Sequence, residues 1–91
     1  MATYEFQLIL GNITSMSDEI ADALFDAGCD DGTPFSGQGT AAIGFSRESE
    51  SIEQAIRSAI ADVNKAGYIV ARVEPSDETV FERINQELAR S

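Results

Sequence analysis

The chain has 91 residues, with 16 acids against six lysines and arginines, no histidine, a net charge of −10 and a pI near 4.1. That length makes one domain with a modest core, and an apolar content of 43% argues against wholesale disorder. Such a charge opposes direct contact with nucleic acid or an anionic membrane and favours a basic partner, with plain solubility as the simpler explanation.

Residues 3–10 alternate Tyr4, Phe6, Leu8 and Leu10 with Thr3, Glu5, Gln7 and Ile9, the period of a strand with one face in the core. Gly11 and Asn12 end it. A helix is predicted from about Ser17 to Ala27, capped by Ser15 or Ser17, with Asp18 and Glu19 near its positive end. Ile20, Ala23, Leu24 and Ala27 form its buried stripe, and Gly28 stops it. Residues 29–45 read as a hairpin: a short strand near Cys29–Thr33, a Gly- and Ser-rich loop from Pro34 to Gly39, and a returning strand Thr40–Phe45 with Ala41, Ile43 and Phe45 on one face.

Ser51-Ile-Glu-Gln54 fits a capping box, and Ile52, Ala55, Ile56, Ala59, Ile60 and Val63 follow at helical steps until Gly67. Tyr68–Glu74 is a β-branched strand stopped by Pro75. A last helix starts near Ser76 or Asp77 and buries Val80, Phe81, Ile84 and Leu88. The order predicts an α+β fold, a ferredoxin-like βαββαβ two-layer sandwich with an extra C-terminal helix. Residues 1–75 form the acidic domain in this reading, and 76–91 a helix packed on it.

The most informative pattern is electrostatic. The first base is Arg47, whereas six acids fall between residues 18 and 31: Asp18, Glu19, Asp22, Asp26, Asp30 and Asp31. With no base nearby in sequence, they are expected to face water, a metal or a basic partner. Asp18, Asp22 and Asp26 share one helix face at steps of about 6 Å. Like charges at that spacing cost a few tenths of a kcal/mol per pair, and Asp26 lies near the helix's unfavourable end. Two nucleotides of one strand rise about 7 Å, so the face could imitate phosphates and block a basic groove. A merely solvated face competes with that reading.

Phe25-Asp-Ala-Gly-Cys-Asp-Asp31, the helix Ser51–Val63 and the strand through Ala71-Arg-Val-Glu74 resemble a group of small bacterial proteins. In them such a domain precedes a helix-turn-helix segment. The resemblance implies a fold and carries no catalytic residues over. Glu82-Arg-Ile-Asn-Gln-Glu-Leu-Ala-Arg-Ser91 looks like the first helix of that segment. A recognition helix is not expected after it, so the usual reading of a major groove is not either. In size and charge the chain is also similar to phage anti-CRISPR inhibitors and other DNA mimics, with no motif in common.

Other chemistry has little to stand on. Asp30-Asp31-Gly32 lacks the spacing of a calcium loop. Cys29, the only cysteine, has no histidine to activate it and reads as a small core residue. A lone cysteine fits a reducing cytosol. No basic region leads into an apolar run at the N-terminus, and no stretch approaches the roughly 20 apolar residues of a membrane span. Ser36-Gly-Gln-Gly39 lacks the ending of a phosphate loop. The expectation is a non-enzymatic, cytoplasmic interaction protein without cofactor or metal, docking through Asp18, Glu19, Asp22, Asp26, Asp30 and Asp31 on a basic surface of a nucleic-acid-binding complex. The alternative is a regulatory or dimerisation domain, a remnant of a helix-turn-helix regulator. The open sheet face (Glu5, Gln7, Ile9, Ala42, Gly44) would then meet a twin subunit or the terminal helix.

Overall fold

Alternation along the first strand decides which side of the sheet is buried. In the computed structural model, which describes residues 2–37, 39–74 and 79–89 (the side chains of 79–82 excepted), β1 spans Ala2–Leu10. It buries Phe6, Leu8 and Leu10 and leaves Glu5 and Gln7 exposed. Then follow α1 (Asp18–Asp26), β2 (Gly32–Gly37), β3 (Thr40–Ser49), α2 (Ile52–Lys65), β4 (Val70–Glu74) and α3 (Thr79–Ala89). The protein is α+β, with one antiparallel sheet in the order β2-β3-β1-β4. Register sets Phe6 opposite Phe45 and Leu8 between Ile43 and Val73. The two phenylalanine rings stack with centroids 5.4 Å apart. Leu24 of α1, Ala55, Ile56, Ala59 and Val63 of α2 and Ile84 of α3 join the same cluster, so helices from all three segments cover one face.

The hairpin differs from the expectation. Its first strand runs from Gly32 to Gly37, beyond the expected Cys29–Thr33, and takes in the residues assigned to a loop from Pro34 onward. Pro34 is tolerated for a geometric reason. Ser46 N–H donates to the Asp31 carbonyl (3.2 Å), so alternation along the ladder turns Gly32, Pro34 and Ser36 outward. The proline's missing N–H therefore lies on the free edge and costs no ladder bond. Gly39, at φ +77°, supplies the left-handed turn. β3 extends to Ser49 because β1 pairs with it to Ala2, and β4 begins at Val70 rather than Tyr68.

The opposite edge is closed differently. Val73, in the edge strand β4, has its outward N–H and carbonyl held by the Asn85 side chain of α3, at 2.6 and 3.1 Å. α3 is further tied to α2 by the Arg57–Glu87 and Arg83–Glu53 pairs. The terminal helix thus packs beside β4 and α2, and the second face of the sheet is not its seat. The expected boundary at residues 75–76, the helix start at Ser76 or Asp77, Gln38 of the loop and the side chains of Val80 and Phe81 lie outside the described residues.

Candidate acidic interface

α1 forms because Ser17 caps it: the Ser17 hydroxyl accepts from Ile20 N–H at 3.2 Å, with Asp18 and Glu19 in the first turn. Gly28, at φ +120°, turns the chain out of the helix. Of the nine helical residues only Leu24 is fully buried, with Ile20, Ala21 and Ala23 half-buried. Asp18, Glu19, Asp22 and Asp26 are exposed, and so is Asp30 just beyond. Phe25 stands among them, 62% exposed.

Asp31 differs from these five: it is half-buried and has a cation within the molecule, where the sequence offers no base nearby. Its carboxylate takes a bidentate grip from Arg47, with Nε to Oδ2 at 2.7 Å and Nη2 to Oδ1 at 2.8 Å. The hydrogen bonds from Arg47 hold the Asp31 carboxyl below the usual carboxylate range. Sixteen residues separate the pair, so local composition could not reveal it. Arg47 also donates to the Gly28 carbonyl (3.1 Å) and to Ser58 Oγ (2.9 Å), and lies 3.1 Å from Asp62 Oδ2. Its guanidinium sits over the Phe45 ring at 5.1 Å. With a side chain only 11% exposed, Arg47 pins the α1–β2 connection and α2 onto β3. A signal for this existed in the sequence. The inward series Ala41, Ile43, Phe45 continues to position 47, and an inward arginine must find an acid.

The remaining described arginines are engaged as well. Arg57 pairs with Glu53 and Glu87, Arg72 with Glu74, and Arg83 with Glu53. Lys65 lies exposed at the end of α2. Among the described residues, no base is paired with Asp18, Glu19, Asp22, Asp26 or Asp30. No three acids or cysteines among the described residues converge as a metal site would require. Cys29 is buried, and desolvation, followed by the charge of Asp62, pushes its thiol up to about 11. A thiol so placed is a poor nucleophile.

The second face of the sheet presents Glu5, Gln7, Gly44, Ser46 and Thr33 around a shallow depression of about 500 Å³. Beside it Ile9, Ala42 and Phe35 lie in one cross-strand row, with Ala42 only 1% exposed and Phe35 43% exposed. No helix among the described residues is long and apolar enough to cross a membrane. The chain matches no family model, no curated protein and no solved structure.

Proposed function

We propose that this is a non-enzymatic interaction protein whose α1 face docks on a basic surface of a nucleic-acid-binding protein or complex and inhibits it by occlusion. This would be the mode of a DNA mimic or an anti-CRISPR-type inhibitor. One observation supports it most: Asp18, Glu19, Asp22, Asp26 and Asp30 are exposed while every described arginine is paired elsewhere in the molecule. Asp31 is withdrawn from this proposed surface, since its carboxylate is committed to Arg47. We read the scaffold as ferredoxin-like, because the element order βαββαβ and the strand order β2-β3-β1-β4 suit that arrangement.

The test is a pull-down from host lysate, washed at low and high salt, followed by binding measurements on the captured partner. Reversing both Asp22 and Asp26 to Lys is expected to weaken binding by tenfold or more, roughly the effect of unpairing two contacts. Added salt should act in the same direction. Unchanged affinity after both reversals would sink the reading. The cross-strand row of Ile9, Ala42 and Phe35, exposed mainly at Phe35, favours a second reading, a regulatory or dimerisation domain left from a helix-turn-helix regulator. Sedimentation separates the two, because a dimer through the sheet face forms without a partner and with little dependence on salt.

A further inference from the structure

A cleft of about 200 Å³ opens between α1 and β2. Ala21, Leu24, Pro34 and Ile43 make it apolar, and the exposed Phe25 and Asp22 also line it. This combination has a specific chemical complement. An arginine or lysine needs an apolar channel for its methylene stem, an aromatic face for its cation and a carboxylate to receive its N–H groups. All three meet here, on a helix whose other acids would attract such a group. We propose that the cleft is a receptor for a single basic side chain, arginine before lysine, carried on a basic segment of the partner. The inference rests on the acidic-face reading and deepens it: the acids steer the segment, and the cleft selects one residue of it.

Arginine is favoured over lysine by the ring. A planar guanidinium stacks on an aromatic face while its fork still reaches a carboxylate, whereas an ammonium is a strongly hydrated point charge. Within the molecule Arg47 already makes that arrangement, lying over Phe45 and gripping Asp31. The cleft offers the same pair of groups, Phe25 and Asp22, to an arginine from outside.

The experiment is an amide-shift titration of the isotope-labelled full chain with a capped peptide holding one arginine between neutral residues. Matched peptides carry lysine or citrulline at that position. The expected result is saturable shifts confined to Ala21, Asp22, Phe25, Gly32 and Ile43, strongest with arginine and lost with citrulline. Phe25→Ala should weaken arginine binding about fivefold, and Asp22→Asn by a comparable factor. Asp18→Asn, farther along the helix, should change it little. Equal response to arginine and lysine, spread along α1 and untouched by Phe25→Ala, overturns the cleft proposal and leaves the acidic face standing. If neither basic peptide shifts any α1 amide at low salt, the cleft proposal falls, and the acidic-face reading is decided separately by the Asp22 and Asp26 reversals.

Discussion

α1 and α2 are built alike at their ends and differently along their length. Each opens on a serine whose hydroxyl accepts from the N–H three residues on, Ser17 from Ile20 and Ser51 from Gln54. Each closes on an alanine cap followed by a glycine at positive φ, +120° at Gly28 and +97° at Gly67. Between those ends α2 fully buries Ala55, Ile56, Ala59 and Val63, whereas α1 fully buries Leu24 alone. The acid in α2's first turn, Glu53, is answered by Arg57 and Arg83, while no described base answers the acids of α1. One helix is held by what it buries; the other is held mostly at its exit and carries its acids outward. A helix anchored so lightly needs its flanking connection fixed, and Arg47 supplies that.

The largest effect should come from removing this anchor. Arg47→Met leaves Asp31 and Asp62 without their shared cation, which for a buried pair costs roughly 3–5 kcal/mol. Both carboxylates are about a third exposed, at 31% and 29%, so solvent screening lowers the expected loss to about 2–3 kcal/mol. Urea unfolding measures it, and an unchanged midpoint would show that the clamp is incidental. The acid dependence has a definite sign. Asp31's folded pKa lies below its ordinary value of 3.8, so its contribution is complete above that value and fades as pH falls through the folded pKa. The stability gap between wild type and Arg47→Met should therefore narrow below about pH 4.

A smaller loss is expected where α3 closes the sheet. Asn85→Leu strips both side-chain bonds from Val73, whose residue is fully buried, and costs about 1–2 kcal/mol. The same change uncovers a strand edge, so sedimentation should also reveal concentration-dependent association. Stability lost without association would mean that other parts of α3 guard the edge.

Much of this framework was legible because it is periodic. The alternation of β1, the helical steps of α2 and the serine–glycine brackets of both helices are local patterns, and the structure places them within a few residues of expectation. β2 is not legible in the sequence, because glycine and proline normally argue against a strand. Only the sheet order shows that Pro34 sits on a free edge with its nitrogen outward. At the site, the exposure of Asp18, Glu19, Asp22, Asp26 and Asp30 followed from their isolation from bases in sequence. Asp31 did not follow, since its partner comes from the far end of the hairpin. The α1–β2 cleft was equally hidden, because its walls come from segments that meet only when β2 is extended through Pro34.

The smallest expected effect on stability bears most directly on what the acidic face is for. The Arg57 and Arg83 pairs that join α2 to α3 are surface pairs, with arginine side chains 43% and 53% exposed. Such pairs contribute little and are screened by salt. Replacing both arginines by alanine should leave the urea midpoint nearly unchanged at high salt, yet it moves the net charge from −10 to −12 by removing two positive charges. That makes the double variant a control for specificity. If a basic partner responds only to net charge, the variant binds more tightly than wild type. If the partner is held by the α1 face, affinity stays where it was, because the added negative charge lies on the α2–α3 side. We expect the second outcome, measured beside the Asp22 and Asp26 reversals, because the arginines of α2 and α3 neutralise their own helices and leave the α1 acids untouched.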